Sequence, residues 1–484
     1  MLAILKDLFN ELNAQNIRYI HWKSNEHLQA AINGDTDLDI MVHVEDKKKF
    51  VQIIQSHGFS LYQSVGKQSY ISISDYIYLD AASQKILHIH LHNYLMVGRK
   101  FFKEYLIPIE KNFFEDSIFD PSNTVKIMTP SQELIVLWMR YALKTSLLKF
   151  ILKRFKISKD FLKESTWLED KLCNQQIAEA IEKFGLIEGT KLLSLYKHFF
   201  DTNKGTKETI KLIYGIRRAL KKYKTEYFTG VRYLFVRINM IFKYILQNKL
   251  NKPIPYRRIN PSGGTIIGII GSDGSGKSTV IHSMKKTIER KLDVYIEYLG
   301  SGDGKSSLLR APMQVIKNLK KRNKETNKTV VSNFSKLSTT KVVWAIVLAF
   351  EKKNKLKRIW KAKARGMVVI CDRYPQSEVL GINDGPLLFS WVNSDSKLKR
   401  KIARWEKDIY EQAKILKPDL IVKLLISPEI AIKRKPEENL DNINQKVKII
   451  EEIKIPANNT IKIDASKPLE RVLNDVYFKL SSLF

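Results

Sequence analysis

A glycine-rich loop in the second half of the chain constrains the fold more than any other feature of the sequence. It follows an apolar, β-branched run at residues 265–270 and precedes a helical stretch that starts at Val280. Residues 271–278 match the pattern Gly-x-x-x-x-Gly-Lys-Ser. Glycines let the backbone curl so that successive N–H groups point inward at an anion, and the next helix adds the positive end of its dipole. The pattern predicts a strand–loop–helix unit that holds phosphate groups.

Each residue of this loop is expected to contact bound nucleotide. The nine residues are Gly271, Ser272, Asp273, Gly274, Ser275, Gly276, Lys277, Ser278 and Thr279. In such loops the lysine reaches the β- and γ-phosphates, and the hydroxyl after it holds Mg²⁺. We therefore predict ATP and Mg²⁺ as cofactors, with Lys277 at the phosphates and Ser278 at the metal.

A second Gly-Lys-Ser sequence, at residues 304–306, has the wrong spacing for a phosphate loop. The position that requires the first glycine falls on Leu299, one residue before Gly300. We interpret this segment as a loop at the mouth of the site, followed by Arg310 as a candidate contact for the acceptor. A solvated arginine is the alternative.

Further apolar runs at residues 367–371, 420–426 and 460–463 alternate with charged helical stretches, which predicts a parallel sheet with crossover helices. Ligands of open parallel sheets bind at the carboxyl ends of the strands. Asp372 and Arg373 follow the first run, so we expect them beside the phosphate loop. There a carboxylate can orient Mg²⁺ and a guanidinium can clamp a phosphate.

A basic cluster follows the predicted strand at residues 420–426. It consists of Lys433, Arg434 and Lys435. On a mobile lid these residues would neutralise the charge that develops during phosphoryl transfer and would exclude water. A solvated helix face is the alternative.

From about Gly264 onwards the chain resembles the thymidylate kinase family of nucleoside monophosphate kinases. The resemblance is carried by residues 271–279, Asp372-Arg373-Tyr374, Pro418-Asp419-Leu420, Arg434-Lys435 and residues 463–466. It implies that Asp273 approaches the sugar hydroxyl of the acceptor and that Arg373 binds phosphate. Because Gly274 stands where other members carry arginine, the resemblance also implies that Arg434 supplies the catalytic arginine from the lid.

The acceptor half of the site departs from the family pattern. Residues 375–381 replace the serine and the short element that reads thymine, and Phe350-Glu351-Lys352-Lys353 replaces the arginine-bearing helix, with Arg358 as a candidate substitute. We predict an ATP-dependent phosphotransferase that acts on dTMP, a related nucleoside monophosphate or a similar phosphorylated acceptor. A homodimer is left open. Its catalytic residues are predicted to be Lys277, Asp372, Arg373 and Arg434, with Asp372 also on the metal side.

Two aspartates mark a second candidate site in the N-terminal third. In the sequence Gly-Asp-Thr-Asp-Leu-Asp-Ile at residues 34–40, strand alternation puts Asp37 and Asp39 on one face. Two carboxylates so placed can hold Mg²⁺ for nucleotidyl transfer. Residues 1–125 resemble the nucleotidyltransferase fold of the DNA polymerase β type, although Lys23-Ser24 lacks the glycine expected before the serine.

The third carboxylate of that family is missing from the later strand at residues 86–91. Instead, His88, His90 and His92 alternate along it, and imidazoles also bind metals. An active transferase, a domain that only binds nucleotide or sugar phosphate, and a structural domain remain as alternatives. The combination of the two domains resembles fusion proteins of bacterial surface-polysaccharide gene clusters, so a bifunctional kinase and nucleotidyltransferase is an alternative function.

The positive charge of the chain is concentrated between the two candidate domains. Of a net charge of +33, residues 204–258 supply +13, from 15 Lys or Arg and two acids. Apolar residues recur among them at helical spacing: Leu212, Ile213, Ile216, Leu220, Leu234, Phe235, Ile238, Ile241, Phe242 and Ile245. We interpret the stretch as a helical connector that buries its apolar face.

Basic amphipathic helices also attach to anionic membranes or bind nucleic acid, so a membrane- or nucleic-acid-binding protein with a phosphate-loop switch is the rival function. Nucleic acid has less support, because no recognised binding module occurs. No apolar run approaches the roughly 18 residues of a spanning helix, and Cys173 and Cys371 suggest no disulfide framework. We expect a cytoplasmic protein.

The sequence as a whole predicts an α/β architecture in three parts. Residues 1–125 form the α+β nucleotidyltransferase-like domain, residues 126–260 form the basic helical connector, and residues 261–484 form the phosphate-loop kinase domain with a parallel sheet.

Overall fold

The computed structural model describes residues 1–65, 70, 72–99, 102–108, 110–145, 156–184, 194, 206–225, 229–300, 339–380, 385–436 and 440–484. The chain divides into two compact units. The N-terminal unit comprises residues 1–80 and 85–243 with Phe484, and the C-terminal unit comprises residues 81–84 and 244–483.

The N-terminal unit is built on a mixed sheet. Its strands are β1 (Tyr19–His21), β2 (Leu38–Val42), β3 (Ser60–Ser64), β4 (Ile73–Asp80), β5 (Lys85–His92), β6 (Leu95–Val97), β7 (Tyr105–Ile107), β8 (Ile118–Phe119) and β9 (Lys126–Ile127). Seven of them follow one another across the main sheet in the order β3-β4-β5-β2-β1-β9-β8, and β6 pairs with β7. Strand β5 lies parallel to β2 and antiparallel to β4.

Helices cover the sheet of this unit and form its helical part. They are α1 (Ala3–Ala14), α2 (Leu28–Ile32), α3 (Lys47–Ser56), α4 (Glu110–Glu115), α5 (Pro130–Lys144), α6 (Lys159–Glu169), α7 (Asn174–Phe184) and α8 (Thr206–Ala219), and α9 (Thr229–Asn248) follows. Pro130 at the first turn and the Thr129 hydroxyl, which accepts from the Gln132 N–H, begin α5.

Alternation along β5 determines which face of the sheet is apolar. Leu87, Ile89 and Leu91 pack in one core with side chains of α1 and α3, whereas the three histidines that alternate with them point to the other face. A second core contains side chains of α5 and α8. Because the apolar residues of β5 pack in this core, its three histidines lie on the opposite face of the sheet.

The C-terminal unit has a five-stranded parallel sheet. After the short strand β10 (Arg258–Ile259) come β11 (Thr265–Gly271), β12 (Val294–Tyr298), β13 (Val368–Asp372), β14 (Leu420–Leu425) and β15 (Asn459–Asp464). The sheet order is β12-β13-β11-β14-β15, and every neighbouring pair is parallel. The predicted α/β parallel sheet is confirmed, and each predicted strand differs from the observed one by no more than one residue at either end.

Helices connect these parallel strands. They are α10 (Lys277–Ile288), α11 (Thr339–Ala364), α12 (Lys397–Ile415), α13 (Pro428–Arg434), α14 (Leu440–Glu452) and α15 (Leu469–Leu480). Apolar residues of β11, β13 and β14 form the core together with α11 and α12. Because β11 is central, the loop that follows it emerges at the middle of the carboxyl edge of the sheet.

Candidate functional site

The phosphate loop of the C-terminal unit connects β11 to α10. Gly274 and Gly276 have φ angles of +80° and +84°, in the left-handed region that residues with a Cβ rarely adopt. A Cβ on Gly274 would also lie 2.9 Å from the carbonyl oxygen of Ala431, whereas one on Gly276 would meet nothing within 4 Å. The course of the loop thus requires glycine at both positions, and at Gly274 the space requires it as well.

The Lys277 side chain folds back over this loop. Its Nζ donates to the backbone oxygens of Gly271 and Ser272 at 3.0 and 2.8 Å. Burial and the positive charge of Arg373 lower the pKa of Lys277 to about 8. The hydroxyls of Ser272 and Ser275 are buried and have no hydrogen-bond partner among the residues that the structure describes. A bound phosphate would supply a counter-charge for Lys277 and acceptors for these hydroxyls.

The turn after β13 is tied to the phosphate loop. Asp372, the last residue of β13, lies in register with Ile269 of β11. Arg373 has a φ of +68°, and its N–H donates to the Ile269 oxygen at 2.9 Å. Its Nη2 lies 3.3 Å from Oδ1 of Asp273. Asp372 and Arg373 therefore emerge beside the loop.

Arg434 also contacts the loop. It is the last residue of α13, and its Nη1 donates to the backbone oxygens of Gly274 and Ala465 at 3.2 and 3.1 Å. Lys433 and Lys435 are exposed, as are Ser278 and Thr279 at the start of α10. Of the predicted basic cluster, Arg434 is the member that makes these loop contacts.

Lys446 is a loop contact that the sequence does not predict. It lies on α14, and its Nζ is 2.6 Å from Oδ2 of Asp273. Burial alone would raise the pKa of Asp273, but Lys446 and Arg373 outweigh it and lower that pKa. Lys446 has no motif around it, and the only signal is that the helix follows the basic lid.

Arg358, the candidate substitute for the missing acceptor arginine, is paired with a carboxylate in this structure. Its Nε and Nη2 lie 2.9 and 3.1 Å from the two carboxylate oxygens of Glu297 on β12. Glu297 also accepts from the Tyr295 hydroxyl at 2.6 Å. The loop at residues 301–306 and Arg310 lie outside the described residues.

The N-terminal unit gathers its polar groups on the histidine-bearing face of β5. Asp37 Oδ1 lies 2.9 Å from Nδ1 of His88, and Asp39 Oδ1 lies 3.0 Å from Nδ1 of His90. Nε2 of His92 is 3.3 Å from Nδ1 of His90. The two predicted carboxylates thus lie along one face, each beside a different histidine.

A third carboxylate of this face lies on β4 rather than on β5. Asp75 is buried, and its carboxylate lies 2.8 Å from Nε2 of His88 and accepts from the Ser64 hydroxyl at 2.8 Å. Asp75 is in register with His90 across the β4–β5 pair. Sequence alternation alone could not find it, because the register between two strands is not written in either of them.

Asp39, His90 and His92 form a candidate cation site. Their ligand atoms all lie within 4.8 Å of one another. Lys23 competes for the same carboxylate, since its Nζ lies 2.6 Å from Asp39 Oδ1. Burial would raise the pKa of Asp39, but Lys23 and His90 hold it well below its usual range. Burial lowers the pKa of His90 to about 4, which leaves its imidazole neutral at pH 7.

The segment before this site contains a residue in the left-handed conformation. Ser24 adopts a φ of +56°, the conformation for which glycine is preferred. Asn25, which follows, is buried, and its backbone and side-chain N–H groups donate to both carboxylate oxygens of Glu133 at 2.8 Å. This pair of hydrogen bonds fixes the turn that carries Lys23.

Comparison with known proteins matches part of the chain. No family model matches it. The uncharacterized ATP-binding protein YghR of Escherichia coli K12 is 26% identical over 215 residues, or 43% of this chain and 83% of that protein. The uncharacterized ATP-binding protein YghS of the same strain is 25% identical over 224 residues, 44% and 92% of the two chains.

A third relative carries a kinase name. The probable thymidylate kinase 2 of Saccharolobus solfataricus is 26% identical over 236 residues, which cover 44% of this chain and 93% of that protein. Together with the parallel sheet and its phosphate loop, these similarities indicate a P-loop kinase-like domain. The nucleotidyltransferase-like character of residues 1–125 stays a prediction.

Proposed function

We propose that the C-terminal unit is an ATP- and Mg²⁺-dependent kinase that phosphorylates a phosphorylated small molecule, with dTMP and related nucleoside monophosphates as first candidates. One observation carries the proposal: Lys277, Arg373 and Arg434 reach the same glycine loop from three different elements. The names of the relatives, two ATP-binding proteins and a probable thymidylate kinase, support ATP as donor.

The residues present fit this cofactor. The buried hydroxyls of Ser272 and Ser275 and the N–H groups at the start of α10 are donors suited to phosphate oxygens. Ser278 and Asp372 would hold Mg²⁺, which supplies charge neutralisation on the phosphates when bound.

The chain's own part in catalysis is to position and to stabilise charge. Lys277, held over the loop, would stabilise negative charge on the transferred group. Arg434 on α13 would add a further positive charge. Phosphoryl transfer depends mostly on positioning and electrostatics, so no strong general base is required. Asp273, held by Arg373 and Lys446, is placed to orient an acceptor hydroxyl.

The test is transfer of labelled γ-phosphate from ATP to dTMP, the other nucleoside monophosphates, and sugar and polyol phosphates. We expect Lys277→Ala to reduce transfer by about a thousandfold or more. Lys285→Ala is the matched control, because Lys285 lies on the same helix in an exposed pair with Glu289, and it should leave transfer unchanged. Transfer that survives Lys277→Ala, or none to any acceptor, contradicts the proposal.

We propose as a second function that the N-terminal unit binds a transition-metal ion and acts on a nucleotide or sugar phosphate. The carrying observation is the Asp39, His90 and His92 cluster. Asp39 Oδ1 and His92 Nε2 lie 3.0 and 3.3 Å from His90 Nδ1, which is close to the separation of two ligand atoms that bind one metal ion at about 2.1 Å. Two imidazoles favour Zn²⁺ or Co²⁺ over Mg²⁺.

Cobalt absorption spectroscopy on the nucleotide-free full chain tests this second function. We expect His90→Ala and His92→Ala to abolish the visible bands of bound Co²⁺, and His43→Ala, outside the cluster, to retain them. Lys23→Met should tighten Co²⁺ binding by about tenfold, because the ammonium no longer competes for Asp39. Weaker binding in Lys23→Met, or unchanged spectra without His90, contradicts the metal set.

A further inference from the structure

The basic stretch at residues 204–258 contains α8 and α9, and these two helices differ in the burial of their apolar residues. Leu212, Ile213 and Ile216 of α8 are at most 3% exposed and belong to a core of the N-terminal unit. On α9, Phe235 is 73% exposed and Phe242 is 58% exposed. The expectation that this stretch buries its apolar face is therefore met by α8 and not by α9.

The exposed apolar residues of α9 form one continuous stripe, which we call the α9 stripe. It consists of Val231, Leu234, Phe235, Ile238, Ile241 and Phe242, and each of these side chains is at least half exposed. At 100° per residue, their spacing places all six within an arc of about 120°. The stripe is thus a single face of the helix rather than scattered exposure.

The opposite face of α9 fixes which side is outward. Tyr233 packs edge-on against Phe102 at 6.4 Å between ring centroids, and the Arg99 guanidinium lies 4.4 Å from the Tyr233 ring centroid. Met240, two helical turns further on, is buried. Since Phe102 and Arg99 hold the Tyr233 face of α9 on the N-terminal unit, the α9 stripe, on the opposite face of the helix, points away from them.

The charges beside the stripe identify the kind of partner. Arg232 and Arg237 are exposed and lie on either side of the stripe, and residues 227–272 contain no Asp or Glu. Pairing with a second copy would bring like charges together. Nucleic acid would meet the arginines but would leave six large apolar side chains in water. An anionic lipid surface offers negative headgroups beside the arginines and acyl chains to the stripe.

We propose that α9 is an interfacial helix that lies in the plane of an anionic membrane, with the α9 stripe among the acyl chains and Arg232 and Arg237 at the headgroups. Among the described residues, no helix is long and apolar enough to cross a bilayer. The unit is held at the surface by this one face.

Flotation of the full chain with vesicles tests the proposal. We expect binding to phosphatidylcholine vesicles that contain about 30% phosphatidylglycerol and much weaker binding to pure phosphatidylcholine. The variant Leu234→Ser/Phe235→Ser/Phe242→Ser should lose at least about tenfold in partitioning. Arg232→Gln/Arg237→Gln should lose about tenfold and become less sensitive to salt.

The matched control carries three serines at exposed apolar positions of the C-terminal unit: Leu398→Ser, Ile415→Ser and Phe478→Ser. It should bind as the parent does. Equal loss in the control, loss in the arginine variant without loss in the stripe variant, or no binding to anionic vesicles overturns the proposal. So does a stable dimer that the stripe variant dissociates in sedimentation velocity, because the face is then a self-interface.

The charges on α8 are poor targets for this test. Nε of Arg217 donates to the Ala142 oxygen at 2.8 Å, and its Nη2 donates to the Thr145 oxygen at the end of α5. Neutralising Arg217 would leave those carbonyls without their partner and so disturb the fold. Arg232 and Arg237 of α9 are exposed and are therefore the better targets.

Discussion

The two candidate sites differ in whether the main chain or the side chains form them. In the C-terminal unit the main chain shapes the site, since the loop after β11 is folded by glycines with positive φ and side chains are added around it. In the N-terminal unit side chains from β2, β4 and β5 make the site, and the backbone beneath is ordinary sheet. A site made by the main chain is visible in sequence as glycines, whereas one made by side chains depends on strand register.

The largest effect is expected from a methyl group added to the loop. Gly274→Ala should destabilise the C-terminal unit by about 2–5 kcal/mol, the sum of left-handed strain and overpacking against Ala431. Gly276→Ala has room for its methyl group and should cost about 1–2 kcal/mol. Urea unfolding measures both losses of stability. The probe is labelling of the Cys371 thiol, which is buried in the folded protein, in a Cys173→Ser background. Equal losses would mean that strain alone shapes the loop.

The corresponding change in the N-terminal unit removes a charge from the same face of the sheet as the site. Asp75→Asn should destabilise that unit by about 1–3 kcal/mol, because buried His88 and Ser64 lose a charged acceptor. Asp37→Asn, at a side chain 36% exposed, should change stability by less than about 1 kcal/mol. Chemical unfolding monitored by tryptophan fluorescence measures both, and neither variant should alter Co²⁺ spectra.

Asp37→Asn also distinguishes two possible sets of metal ligands. If it abolishes metal binding as fully as Asp39→Asn does, the carboxylate pair expected from the sequence holds the metal, and the histidine set is wrong.

A titration gives a smaller effect. The pKa of Lys277 in the free protein is about 8, below its ordinary 10.5, and a bound phosphate should raise it again. Nucleotide binding should therefore take up about 0.7 proton at pH 8.5 and almost none at pH 6.5. Calorimetry in buffers of different ionisation enthalpy measures this uptake. Lys277→Arg stays charged and should abolish it; uptake that persists in that variant must come from another group.

The smallest expected effect concerns Lys446, the loop contact that has no sequence motif around it. Lys446→Met should lower stability at pH 7 by about 0.5–1 kcal/mol, because its pair with Asp273 is partly exposed. The folded-state pKa of Asp273 lies below the ordinary 3.8, so this contribution is present above pH 3.8 and disappears as the pH falls through the folded value. Acid titration of both proteins tests this; a difference that persists at pH 2 argues for packing instead.

The sequence predicted most of the C-terminal fold, because parallel strands buried on both faces appear as short β-branched runs. It also indicated that Asp372 and Arg373 would emerge beside the loop, since every strand of the sheet ends at one edge. Lys446 and the pairing of Arg358 with Glu297 could not be predicted, because side chains on helices approach one another through tertiary packing that has no sequence period.

In the N-terminal unit the sequence predicted that Asp37 and Asp39 share one face and that the three histidines share one face. It did not predict which aspartate lies beside which histidine. That Asp39 groups with His90 and His92 depends on the parallel register of β2 on β5, and Asp75 enters through the antiparallel register of β4. A shift of one residue in either register would reverse which side chains face each other.

The central position of β11 has a consequence for the order of assembly. Its two neighbours in the sheet lie about 100 and about 150 residues further along the chain. The entropy cost of closing these long loops comes before strand pairing stabilises the sheet, so such sheets form slowly. A nascent chain that has emerged only through β11 and α10 carries the whole glycine motif without the strands that hold it. Nucleotide binding should therefore appear abruptly during synthesis, when β14 becomes available, rather than when the motif itself leaves the ribosome.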